Sequence, residues 1–239
     1  MTTADPSGSK QQYLYECDPS ATEKAETADL VVLDWSGGVN PIYSDQLLGG
    51  IDLAQFDIAE GGTLADHSDQ FKEMVRREVA AIFCEWPEVA VIVENGEDDG
   101  AGQFADTIVH ITHEVRPDGK MDIGQGEYDP CNGQNDNAAI VFGKRILQLG
   151  GAYSLEEWVR VFANVTAHEV GHTLGYGHVL REEREDVGRS IYVELMLDRH
   201  TMTEMRKAQR FVATQSNCPD ESGDYEPVQG AMLTCGHED

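Results

Sequence analysis

The chain contains no run of eighteen apolar residues, so no segment reads as a helix able to cross a bilayer. Its opening, MTTADPSGSKQQ, lacks the apolar core of a secretory signal. The five cysteines, Cys17, Cys84, Cys131, Cys218 and Cys235, form no C-x-x-C pair, which argues against a cysteine zinc site or a thioredoxin-type motif. Cys84 lies in an apolar helical run and reads as buried and free, whereas Cys218 and Cys235 bracket a loop-like tail and could be bridged in an exported protein. Basic residues are scarce: 17 stand against 44 acidic ones, for a formal charge of -27, and only six of them are lysines. Such a surface repels phosphate backbones, and no nucleic-acid partner is expected. An acidic, lysine-poor surface resembles that of proteins from salt-loving microbes, where screening relieves self-repulsion; a merely soluble acidic protein is the alternative.

What the sequence does have is enough length, at 239 residues, for one domain or one domain divided by a cleft. No internal repeat is visible. Residues 1–27 are polar and aperiodic and read as a loosely held arm. ADLVVLDW (Ala28 to Trp35), VAVIVE (Val89 to Glu94), TIVHITH (Thr107 to His113) and NAAIVFG (Asn137 to Gly143) are short apolar runs between turn-forming clusters, and read as strands. Between the first two, Ser68 to Trp86 places Phe71, Met74, Val75, Val79, Ile82 and Phe83 at three- and four-residue steps, the pattern of an amphipathic helix ended by Pro87. The expected fold is therefore α+β, with helices packed on a mixed twisted sheet. Two acid- and glycine-rich loops, Glu94 to Gly102 and Asn132 to Asn137, offer oxygen ligands to calcium, but neither fits an EF-hand, and solvated connections are the simpler reading.

A second helix is expected over 155–174, opened by the capping box SLEE at Ser154 and stopped by Gly175. Its last turns lie in TAHEVGHTLGYGHVL. His168 and His172, four apart, project from one helical face and can share one ion at about 2.1 Å. His178 can join them only if the chain leaves the helix, which Gly175 permits. Three neutral nitrogens leave zinc a fourth position for water, whereas structural zinc sites are usually closed by four protein ligands. Glu169, adjoining the first ligand, can accept a proton from that water and pass it to a departing amine. A string H-E-x-x-H-x-x-G-x-x-H would arise by chance in roughly one chain of this composition in ten thousand.

That string resembles the zinc signature of the metzincin endopeptidases. The resemblance implies an upper sheet-and-helix subdomain over 28–178, and a smaller lower subdomain over 179–239 with a methionine turn beneath the metal and a final helix. Met196 is the candidate turn methionine and 201–214 the candidate helix; Met202 and Met205 fall inside that helix, and Met232 leaves no room for one. Asp198 stands where some branches have a tyrosine that approaches zinc, so no tyrosine role carries over. His200 is considered as a transition-state donor against the plainer reading of a surface histidine. His110 and His113, three apart in a strand, should face opposite ways and share no metal. Cys17 could act as a thiolate latch, but its surroundings do not match the cysteine-switch sequence.

The reading that follows is a zinc-dependent endopeptidase with Zn²⁺ on His168, His172 and His178, Glu169 as catalytic base, and Gly175 and Met196 in support. Its partner is an extended peptide or protein laid along a sheet edge. Two alternatives remain: a catalytically idle module stapled by zinc, and a zinc hydrolase of non-peptide amides. The resemblance implies export. Residues 179–195 are expected to line part of the substrate pocket.

Overall fold

The alternating pattern of DLVVLD dictates how the sheet is covered. In strand β1 (Asp29–Asp34), Val31 and Leu33 enter the large core that holds the helices, while Leu30 and Val32 form a smaller cluster with Ala105 and Ile108. The computed structural model describes residues 29–39, 52–58, 64, 67–83, 89–94, 105–116, 119–129, 137–178, 193–196, 199–207, 209–210 and 232–237. After β1 come β2 (Gly38–Val39), β3 (Asp52–Leu53), α1 (Ser68–Ile82), β4 (Val89–Glu94), β5 (Thr107–Thr112), β6 (Gly124–Glu127) and β7 (Asn137–Phe142). The remaining elements are α2 (Gly143–Leu149), α3 (Leu155–Thr173), β8 (Val193–Glu194), β9 (Arg199–His200), α4 (Met202–Met205), β10 (Gln209–Arg210) and β11 (Met232–His237).

The main sheet runs β4-β1-β5-β7-β6-β11-β9. The β4, β1, β5 and β7 strands are parallel, β6 is antiparallel to both β7 and β11, and β11 and β9 are parallel, so the fold is α+β with a mixed sheet. The α1 and α3 helices share one core with this sheet. Phe162 of α3 packs edge-on to Phe71 of α1 at 5.2 Å and to Phe56 at 5.2 Å, and Trp35, following β1, closes the ring cluster at 5.6 Å from Phe56. Phe162 is fully buried, and truncating such a ring costs about 3–5 kcal/mol.

Four expected strands and both long helices stand close to their expected bounds. The α1 helix ends at Ile82; Cys84, Trp86 and Pro87 lie outside the described residues. So do the 1–27 arm, Cys17, Cys131, Cys218, Asp198, the segment 179–192, and most of the two proposed calcium loops. The helix expected over 201–214 is corrected. It is a single turn, α4, followed by β10, which pairs with β8. The Asn164 amide of α3 donates to the carbonyls of Met205 (2.8 Å) and Lys207 (3.0 Å), and the Gln209 amide donates to that of Glu204 (3.2 Å). Side chains thus take the acceptors that a longer helix would need. Near the end of the chain, β11 pairs antiparallel with β6 of the main sheet.

Candidate metal centre

Helix α3 carries the site, and both of its ends are locally determined. At the start, Ser154 Oγ accepts from the Glu157 amide (3.2 Å) and the Glu157 carboxylate accepts from the Ser154 amide (2.9 Å), the expected capping box. At the end, Gly175 adopts φ 89°. There the Gly175 amide donates to the His172 carbonyl (3.0 Å) and the Tyr176 amide to that of Gly171 (2.9 Å), the paired bonds of a Schellman motif. This turn brings His178 back over the helix, as the position of Gly175 implies.

The three histidines meet through Nε2. His178 Nε2 lies 3.1 Å from Nε2 of His168 and 3.1 Å from Nε2 of His172. An ion bound at about 2.1 Å from each nitrogen sets tetrahedral ligands about 3.4 Å apart, close to this spacing. The opposite ring nitrogens decide the tautomers. His168 Nδ1 is 2.7 Å from the Leu195 carbonyl and His172 Nδ1 is 2.8 Å from the Tyr176 carbonyl. A carbonyl only accepts, so both Nδ1 atoms carry the proton and both Nε2 atoms present lone pairs. One proton on His178 Nε2 could satisfy only one of them; a cation satisfies all three.

Burial keeps the imidazoles neutral. His168 and His172 are fully buried, and desolvation, reinforced by neighbouring histidines, holds His168 well below its ordinary pKa of 6.5 and His172 down to about 3. His178 is half-buried, so solvent reaches the group from its side. The three residues form a group that can hold a metal ion.

Glu169 occupies the opposite situation for a carboxylate. It is fully buried, neither of its oxygens has a hydrogen-bond partner among the described residues, and burial, then the charge of Asp122, push its pKa well above 4.5. Asp122 is itself paired with Arg116. The carboxylate lies against β6, whose sequence GQGE places Gly124 and Gly126 on one face. A Cβ on Gly124 would collide with Glu169 Oε1 and stand 2.7 Å from Glu169 Cδ; one on Gly126 would stand 2.7 Å from the Glu169 carbonyl and 3.3 Å from His172 Cβ. These glycines are a part of the site that the sequence reading missed. Their signal was the G-x-G spacing alone.

Met196 is fully buried in a turn with Leu195, whose carbonyl holds His168. That carbonyl was also missed, because a backbone acceptor leaves no trace in side-chain identity. His200 is corrected: it is 2% exposed, not a surface residue, and its Nε2 faces the Leu195 carbonyl at 2.9 Å rather than the three-histidine group. His110 Nδ1 instead meets Asp34 at 2.8 Å, on another part of the sheet. Among the described residues, no helix is long and apolar enough to cross a membrane. Comparison with protein-family models, with curated proteins and with solved structures finds no match for this chain.

Proposed function

We propose that the protein is a zinc-dependent endopeptidase of metzincin type, with His168, His172 and His178 as metal ligands and Glu169 as the catalytic base. The observation that supports this reading is the pairing of a three-imidazole group with a buried carboxylate that has no hydrogen-bond partner among the described residues. A metal staple needs no such base. An isolated buried carboxylate is unfavourable, and its retention beside a metal group fits a role in moving a proton. All-imidazole donors suit zinc better than calcium or magnesium, which take oxygen ligands.

Zinc held there supplies Lewis acidity, polarising the scissile carbonyl and lowering the pKa of water. The chain's residues do the rest. His168 and His172 keep their Nδ1 protons on backbone carbonyls, which leaves their Nε2 lone pairs to hold the ion when it is bound. Glu169 takes the proton of the attacking water at a carboxylate oxygen and delivers it to the departing amine nitrogen. The backbone of β6 and its two glycines confine that carboxylate and keep bulk water from it. The peptide approaches from the side of His178, the one ligand with partial exposure. On the same reading the protein works outside the cell, and its acidic surface suits a salt-rich medium.

The test is a panel of unfolded proteins and small amides offered to zinc-loaded protein. Cleavage at internal peptide bonds supports the proposal. Hydrolysis of small amides alone supports the non-peptide reading, and inertness toward both supports the idle module.

A further inference from the structure

The buried ring of His200 belongs to no step of the proposed reaction, yet it stands 5.8 Å, centroid to centroid, from the ring of His168, at an interplanar angle of 82°. Its neighbours fix its proton. The Gln209 amide nitrogen lies 3.4 Å from His200 Nδ1 and 3.2 Å from the Glu204 carbonyl. An amide NH₂ has two protons to give, one for each. That makes Nδ1 an acceptor and leaves the ring proton on Nε2, which donates to the Leu195 carbonyl at 2.9 Å. The same carbonyl accepts from His168 Nδ1 at 2.7 Å. Leu195 O therefore receives two imidazole N–H donors, one for each lone pair, and both donors and Gln209 are buried.

We propose that His200, oriented by Gln209, is a positioning residue for the metal ligand His168, acting through the shared carbonyl of Leu195. The inference rests on the three-histidine metal site proposed above. The sequence places the parts suitably. Thr201 caps α4, with its hydroxyl accepting from the Glu204 amide at 3.2 Å, which sets His200 immediately before a fixed turn. The β10 strand then brings Gln209 back beside β8 and the Leu195–Met196 turn. A carbonyl held from a second direction cannot rotate away from His168. The His168 ring therefore keeps the orientation that sends Nε2 toward Nε2 of His178. Without His200 the Leu195 turn has one fewer restraint, and the imidazole it orients gains freedom that metal binding must then remove.

The experiment compares wild type with His200→Phe, which fills the space without a donor, and His200→Gln, whose amide can still donate to Leu195 O. Zinc affinity is read by chelator competition, and the visible spectrum of the cobalt(II)-loaded protein reports ligand geometry. The unfolding midpoint of each metal-free variant separates folding from binding. His200→Phe should bind zinc about 10-fold more weakly with an altered cobalt spectrum, and His200→Gln should recover most of both. Unchanged affinity and spectrum in folded His200→Phe would overturn the positioning role and leave the metal site standing. Wild type that takes up neither zinc nor cobalt would overturn the metal site itself, and this inference with it. If His200→Phe does not fold, Gln209→Met decides: a several-fold loss supports the relay, and no loss overturns it.

Discussion

The carboxylate of Glu169 fills the space into which a side chain at Gly124 would project. Strand and helix are therefore matched at one point, glycine on one and acid on the other. The match separates two substitutions that look alike on paper. Gly124→Ala should displace only the end of Glu169, so the kcat of the proposed peptidase reaction should fall at least about 10-fold while zinc content stays at that of wild type. Gly126→Ala meets the Glu169 backbone instead, and should push α3 from β6, lowering stability by about 1–3 kcal/mol and weakening zinc binding. Zinc titration and denaturant unfolding of both variants check this. Equal effects on metal and rate in the two would contradict the assignment.

In the metal-free protein, acid stability should depend on His172. Its pKa is lowered from 6.5 to about 3 on folding, so the unfolded chain binds the extra proton between these values. Its contribution is fully present above about pH 6.5 and is lost as pH falls toward 3. His172→Gln removes that proton uptake. Unfolding free energies between about pH 6 and 4 should then decline less steeply than in metal-free wild type, by up to about 1.4 kcal/mol per pH unit. Parallel declines would show that the imidazole is not held neutral.

Asn164 joins α3 to the segment beneath it by two bonds from one amide, at 2.8 and 3.0 Å, in a position 2% exposed. Asn164→Ala should cost about 1–3 kcal/mol by leaving the buried Met205 carbonyl, and with it that of Lys207, without the amide donor, and thermal unfolding should report a midpoint several degrees lower. A midpoint within about one degree of wild type would show that water replaces the amide without penalty.

A formal charge of -27 should make folding dependent on screening. Raising salt from about 0.1 M to about 1 M shortens the Debye length from about 10 Å to about 3 Å, and the unfolding midpoint should rise. Indifference to salt would remove the proposal of a salt-rich medium.

The elements that the sequence disclosed are those whose determinants are local. The α3 helix announces itself through Ser154, Glu157, its apolar face and Gly175, and all of these act within one or two turns. The convergence of His168, His172 and His178 follows from the helical repeat and one left-handed residue. The β1, β4, β5 and β7 strands show as apolar runs. By contrast, GQGE has neither apolar alternation nor strand propensity, and becomes β6 because α3 and β7 leave room only for backbone. The short α4 was equally hidden, since the donors that end it, Asn164 and Gln209, include one 41 residues away from Met205. His200 looked exposed because histidine usually is; its burial depends on a carbonyl and an amide that meet it only in the folded chain.

The central claim is that Glu169 drives peptide-bond hydrolysis at a metal held by three imidazoles. The most direct measurement is the rate of internal peptide-bond cleavage per zinc-loaded molecule, for wild type and Glu169→Gln at matched zinc content. The account predicts that wild type cleaves and that the variant, folded and fully loaded, is slower by about 10²–10⁴-fold. A zinc-loaded variant that cleaves as fast as wild type, or a zinc-loaded wild type that cleaves no peptide bond at all, would contradict it.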